Sequence, residues 1–218
     1  TDISLVQKPE GVAAVGGYVY VLSHPGHCVY RYSCCGGTPD VSNTLRRDSQ
    51  SGVGNPSGLA IYGDYMWVVV WGPDYAIYGY LLDDAFSGTG DINATRVIPL
   101  LTVGNSVINK SPTGLAIDNN NYIYVLDSDD TQFYQYPIPG GPYNGDPVVA
   151  SNLLLDTAGD PLQNPSGAMF DGTSLWVVDY GTDTMYQYNL TDLFDESGTT
   201  TPIFEFPLDP ANGNASGV

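Results

Sequence analysis

Basic residues are scarce. Six Lys and Arg stand against 24 Asp and Glu, and a net charge of −18 at neutral pH repels phosphate backbones and anionic lipid surfaces, which are poor partners for such a chain. Long apolar runs are missing too: no stretch approaches the roughly 18 residues of a membrane span, so none is expected. Thr1-Asp2-Ile3-Ser4 has neither the basic start nor the apolar middle of a signal peptide. Any export signal is therefore expected to have been removed or never included. Charged residues make up 14% of the chain, well under the usual quarter. Histidine occurs twice and cysteine three times, and no segment keeps a helical period of apolar residues.

What takes their place is aromatic and turn-forming. Among 218 residues there are 17 Tyr, 26 Gly and 16 Pro, with 42% hydrophobic residues. That is enough for a sizeable core, and the composition is that of a folded all-β chain. Cys28, Cys34 and Cys35 crowd into the first fifth of the sequence, and an odd count leaves one unpaired or paired between chains. Asn93, Asn109, Asn189 and Asn214 head Asn-x-Ser/Thr acceptors. With a possible local disulfide they point to an extracellular, glycosylated protein.

One phrase returns along the chain. It reads Pro9-Glu10-Gly11-Val12-Ala13, Pro56-Ser57-Gly58-Leu59-Ala60, Pro112-Thr113-Gly114-Leu115-Ala116 and Pro165-Ser166-Gly167-Ala168-Met169, and a further copy opens at Ala215-Ser216-Gly217-Val218. The spacings of 47, 56, 53 and 50 residues between its glycines suit a four-stranded propeller blade. Pro cannot donate to a ladder and Gly lets backbones approach, so the phrase marks an inner strand crowded near an axis. A polar turn follows each copy, then an apolar run such as Tyr18-Val19-Tyr20-Val21-Leu22 or Tyr122-Ile123-Tyr124-Val125-Leu126. These runs predict strands buried on both faces. A third strand carries paired tyrosines at period two: Tyr30 and Tyr32, Tyr78 and Tyr80, Tyr134 and Tyr136, Tyr186 and Tyr188. A fourth is expected at 97–103, 148–155 and 203–208.

The expected fold class is therefore all-β, a β-propeller of four-stranded antiparallel blades at about 8–54, 55–110, 111–163 and 164–213, treated as one repeat domain over 1–218. Residues 1–7 read as the outer strand of a preceding blade and 214–218 as the start of a following one. Residues 3–6 are predicted to pair with a blade outside these four, since unpaired strand edges are templates for another chain.

These residues resemble the NHL repeat and the related propellers that include streptogramin lyases and the gluconolactonase group. The resemblance covers nearly the whole chain and implies architecture more than activity. The lyases use histidines gathered from different blades, whereas here blades two to four hold none. The lactonase-like enzymes bind a divalent cation through acidic and Asn residues around the channel. Here Asp127 and Asp179 end two of the second strands, where Ser23 and Val70 stand in the others.

From the residues alone, Asp at a strand end most often braces a turn by accepting backbone hydrogen bonds. Asp127, Asp129 and Asp130 form a local oxygen cluster that could attract calcium, but a solvated loop is the simpler reading. His24 and His27 beside Cys28 could hold a metal. Cys28 and Cys34 can face one side of a strand, and a local disulfide or an interchain pair is simpler. Most aromatic side chains belong between blades, and Trp71, in a loop before Gly72-Pro73, is kept as a possible ligand contact.

The expectation is a non-enzymatic extracellular scaffold without cofactor. Its partners would be copies of itself, in a filament for example, or flanking blades of a longer chain. The alternatives are a ligand- or carbohydrate-binding propeller taking a glycan, and part of an NHL-type lyase or lactonase. Asn93 is expected to be the most accessible acceptor, with Asn109 next, both in exposed connections.

Overall fold

The structure is a computed structural model describing residues 8–24, 26–34, 39–88, 90–100, 102–103, 106–107, 109–141 and 148–209. The residue ranges 1–7 and 210–218, and with them Asn214, lie outside it, as does Cys35. The chain divides into two compact units, residues 1–100 and 101–218. Each unit holds two blades.

In unit 1, blade I is β1 (Pro9–Val15), β2 (Tyr18–Ser23), β3 (Cys28–Ser33) and β4 (Val41–Arg46). Blade II is β5 (Asn55–Tyr62), β6 (Tyr65–Trp71) and β7 (Ala76–Leu81), followed by the one-turn α1 (Leu82–Ala85), β8 (Gly90–Asn93) and the outer strand β9 (Arg96–Pro99). Unit 2 begins with the paired β10 (Thr102–Val103) and β11 (Ser106–Val107). Blade III is β12 (Pro112–Ile117), β13 (Tyr122–Asp127), β14 (Gln132–Pro137) and β15 (Val149–Ala150), and β16 (Leu153–Leu154) follows. Blade IV is β17 (Pro165–Phe170), β18 (Ser174–Asp179) and β19 (Thr184–Asn189), then α2 (Leu190–Leu193), β20 (Thr199–Thr200) and β21 (Phe204–Pro207). Each blade is an antiparallel meander, as the repeated phrase predicts. The outer strands are shorter than expected: Thr102–Val103 leaves blade II for its own ladder, and Leu153–Leu154 leaves blade III.

The Pro-x-Gly phrase has a mechanical cause. In every blade the register slips between the Pro and the Gly, so the middle residue sits in a bulge that re-aims its side chain. In blades I and III the glycine then lies against the second blade of its own unit. A Cβ on Gly11 would stand 3.0 Å from the Leu59 nitrogen, and one on Gly114 2.8 Å from the Ala168 nitrogen.

The insertions form a second, longer repeat. After β7 and after β19 the chain makes one helical turn and then a strand that crosses to the preceding blade, where it pairs in parallel: β8 on β4 and β20 on β16. Matching residues follow, Arg46 bridging Gly52 and Leu155 bridging Pro161, and each second blade opens with the same words, Asn55-Pro56-Ser57-Gly58 and Asn164-Pro165-Ser166-Gly167. The true unit of repetition is two blades. Within each unit a core lies between the two blades: Tyr20, Leu22, Val68, Tyr78 and Tyr80 in unit 1, and Tyr124, Phe133, Val177, Tyr186 and Tyr188 in unit 2.

Candidate functional site

One end of unit 1 gathers polar and aromatic side chains from both of its blades. The bulge in β1 turns out Glu10, where the other three copies carry Ser57, Thr113 and Ser166. His24 follows β2, with its backbone N–H donating to the Lys8 carbonyl at 3.2 Å, and its Nδ1 lies 3.9 Å from Glu10 Oε1. Its Nε2 donates to Asn55 Oδ1 at 2.8 Å, which ties blade I to the first residue of β5. The His27 ring lies parallel to the His24 ring at 6.2 Å. Trp71, at the end of β6, has its ring 6.4 Å from that of His24 and is 41% exposed.

Electrostatics at the site follow from partial burial. Desolvation raises the Glu10 carboxyl, against the lowering pull of His24 and Lys8. Desolvation and the neighbouring His24 both lower the His27 imidazole, so His27 is held toward its neutral form. The backbone is fixed around Trp71. A Cβ on Gly54 would stand 2.8 Å from the Trp71 carbonyl oxygen, and Gly72 has φ +98° with Asn55 Nδ2 at 3.4 Å from the place of its Cβ. A side chain at Gly54 would press on the Trp71 backbone, and one at Gly72 would be strained by its positive φ.

Of the residues singled out in the sequence, His24, His27 and Trp71 meet here. Glu10 and Asn55 were missed. The signal for Glu10 was present, since it is the one acid at the middle position of the repeated phrase. Cys28 lies at the start of β3, where its Sγ donates to the Gly26 carbonyl at 3.0 Å, and Cys34 lies just beyond the end of that strand. A strand rises about 3.3 Å per residue, so their Cα atoms are far beyond the roughly 7 Å limit of a disulfide. The Cys28–Cys34 pairing is therefore corrected: facing one side of a strand is not the same as being near.

The acidic candidates of unit 2 are occupied by backbone. Asp127 accepts from the N–H groups of Ser111, Asp129 and Asp130 at 3.1, 2.9 and 3.2 Å, and burial raises its carboxyl despite these bonds. Asp179, fully buried, accepts from Gln163, Asn164 and Gly181 at 2.8, 2.7 and 2.9 Å. Asp130 Oδ2 accepts from the Tyr134 hydroxyl at 2.7 Å. Among the described residues no group of three His, Cys, Asp or Glu side chains converges as metal ligands would.

The acceptor asparagines differ sharply. Asn93 is exposed on β8. Asn109, expected on an exposed loop, is completely buried beside the Tyr136 hydroxyl, which its carboxamide approaches without good hydrogen-bond geometry. Asn189 caps α2, accepting from the Thr191 N–H at 2.8 Å.

The blades define a β-propeller-type fold, and solved structures share it. A nidogen/laminin complex matches with TM-score 0.63 and 16% identity over 97% of this chain and 68% of that one. Glutaminyl cyclase of Myxococcus xanthus matches with TM-score 0.57 and 14% identity over 89% and 70%. A streptogramin B lyase matches with TM-score 0.53 and 14% identity over 96% and 57%. The fold-level resemblance to propellers that include the streptogramin lyases is thus shown, and these neighbours span binding proteins and enzymes. No protein-family model matches the chain, and neither does any curated protein.

Proposed function

We propose that the chain is a non-enzymatic, extracellular repeat scaffold whose outermost blades stack on further blades, supplied by copies of itself or by flanking blades of a longer polypeptide. The observation that supports this is a difference in burial at equivalent positions. On the face of blade I turned away from blade II, Val12 is 41% exposed and Tyr30 and Tyr32 are half-buried. The equivalent Leu59, Tyr78 and Tyr80, and likewise Leu115, Tyr134 and Tyr136, are buried. On the face of blade IV turned away from blade III, Met169, Phe204 and Phe206 are exposed beside Trp176, while Trp67 and Ile98 at the positions of Trp176 and Phe206 are buried in blade II.

Two apolar faces built as blade-packing faces but left open suit head-to-tail stacking. Such a contact is heterologous, and it propagates unless it closes into a ring. Completing the burial of each half-exposed Val, Met or Phe would contribute about 1 kcal/mol. The neighbour crystallised as a nidogen/laminin complex is a precedent for a propeller that works by binding a protein. The exposed Asn93 and the acceptor sequences favour the secretory route, and the binding of Asp127 and Asp179 to backbone favours a structural over a catalytic use of the acids.

The test is assembly. Electron microscopy and sedimentation of the protein, compared with Val12→Asp and Phe204→Asp, should show large assemblies reduced to single copies with the blades still folded by circular dichroism. Monomers in the unaltered protein whose intact mass matches the sequence would overturn the reading, as would metal-dependent turnover of a lactone or streptogramin.

A further inference from the structure

We propose that the loop end of unit 1 carries a binding site for a neutral pyranose sugar, with Trp71 as the stacking platform and Glu10, His24 and Asn55 as its polar rim. A pyranose ring has an apolar C–H face and a ring of hydroxyls. It needs a flat, accessible aromatic surface and, at its margin, planar groups that donate to and accept from neighbouring hydroxyls. The site supplies both. The indole is 41% exposed, whereas the two tyrosines of the neighbouring strand, Tyr78 and Tyr80, are buried, and the backbone beside it is held by Gly54, whose Cβ would stand 2.8 Å from the Trp71 carbonyl oxygen, and by Gly72 at φ +98°. Beside it stand a carboxylate, an imidazole and a carboxamide already positioned by one another through the 2.8 Å His24–Asn55 bond and the 3.9 Å His24–Glu10 approach. Preorganisation of this kind lowers the ordering cost of binding. The charge of −18 and the carboxylate in the rim select against uronates and other acidic sugars.

Unit 2 contains its own control. Tyr180, 42% exposed, takes the place of Trp71, Asn164 that of Asn55 and Gly181 that of Gly72. The place of Glu10 is filled by Thr113, whose hydroxyl donates to the Pro165 carbonyl at 2.7 Å, and the place of His24 by Ser128, whose hydroxyl donates to the Ser111 carbonyl at 3.3 Å. The platform is repeated and its rim is not. The saccharide site therefore belongs to unit 1, and it shares no residue with the blade faces assigned to stacking.

The experiment is an array of neutral gluco-, manno-, galacto- and N-acetylglucosamine hexaoses with oligouronates as acidic counterparts, followed by calorimetry on the glycans retained. The expected result is retention of at least one neutral series over the uronates. Trp71→Ala should lose tenfold or more in affinity and Glu10→Gln should lose severalfold, with Tyr180→Ala within twofold of the parent and melting temperatures of all three unchanged. Retention of no neutral glycan, or equal binding by Trp71→Ala and the parent, would overturn the proposal. Val12→Asp should bind sugar as the parent does, which separates failure here from failure of the stacking reading.

Discussion

Units 1 and 2 repeat one two-blade plan and hold it together differently. Where the second strand of a blade ends, unit 2 places the buried Asp127 and Asp179, each collecting three backbone N–H groups. Unit 1 places Ser23 and Val70 there. It secures the same junction with longer-range contacts instead: His24 on Asn55, and Asp74, which accepts from the Gly54 N–H at 3.1 Å and from Arg47 at 2.8 Å. The crossing strands show the same contrast. Asn43 Nδ2 donates to the Gly88 carbonyl at 2.9 Å, with Gly90 further off at 3.4 Å. Its counterpart Asn152 points its amide at the Asp192 carbonyl and Asp195 Oδ1, at 2.8 and 2.7 Å, while its own oxygen accepts from the Gly198 N–H at 2.9 Å. The topology tolerates either solution. The unit with fewer buried anchors is the one whose loop end carries the mixed polar and aromatic cluster.

The largest test of this contrast is Asp179→Ala. It strands three backbone donors in a buried place and should destabilise unit 2 by about 3–5 kcal/mol, against about 1 kcal/mol or less for Ser23→Ala at the equivalent place in unit 1. Hydrogen–deuterium exchange on the whole chain, read peptide by peptide, reports each unit separately. Equal loss of protection in both units would break the comparison. Next, Asn152→Ala should cost about 2–3 kcal/mol, since it removes a buried donor and acceptor together, and Asn43→Ala roughly half of that; urea midpoints measure both.

The smallest effect is in acid. Asp171 is held well below the usual carboxylate range, first by the Trp176 indole N–H and then by the backbone of Thr173 and Ser174. Its folded pKa is depressed, so the stability it contributes is present above the unfolded value of 3.8 and is lost as pH falls through the folded value. Asp127 has the opposite sign: burial raises it, so what it costs near neutrality is relieved as pH falls through its folded pKa. Asp171→Asn should therefore flatten the loss of melting temperature between about pH 4 and pH 2 by roughly 2 °C. Thermal scans by near-ultraviolet circular dichroism would show it, and an unchanged acid limb would count against a stabilising Asp171 carboxylate.

The blades were legible because each carries the same three cues: a Pro-x-Gly bulge, a polar turn and tyrosines at period two. The two-blade repeat was equally present, in the identical Asn-Pro-Ser-Gly phrases at 55–58 and 164–167 and in Phe86 and Phe194, each following a helical turn. It was missed because an insertion of one helical turn has no room for a 3.6-residue period, and a two- to four-residue strand has too few positions for alternation. The site was half legible. Trp71 and His24 stood out as residue types, whereas Glu10 and Asn55 acquire meaning only when a bulge turns one outward and a neighbouring blade brings up the other. Asn109 shows the reverse limit, since an acceptor sequence says nothing of whether its side chain is buried.

The crossing strands also bear on how the chain carries tension. Strand β8 runs parallel to β4 over four residue pairs, Asn43 with Gly90 through Arg46 with Asn93, and the chain reaches β4 from β3 and leaves β8 toward β9. A pull applied through β3 and β9 draws the two strands past one another lengthwise, so their hydrogen bonds share the load and must fail together, where an antiparallel hairpin pulled at its open end peels one bond at a time. Unit 2 has the same arrangement with two pairs, Leu153 with Thr199 and Leu154 with Thr200. Each unit is thus spliced in the manner of rope, its second blade lashed to its first, and under strain unit 1 has the longer lap.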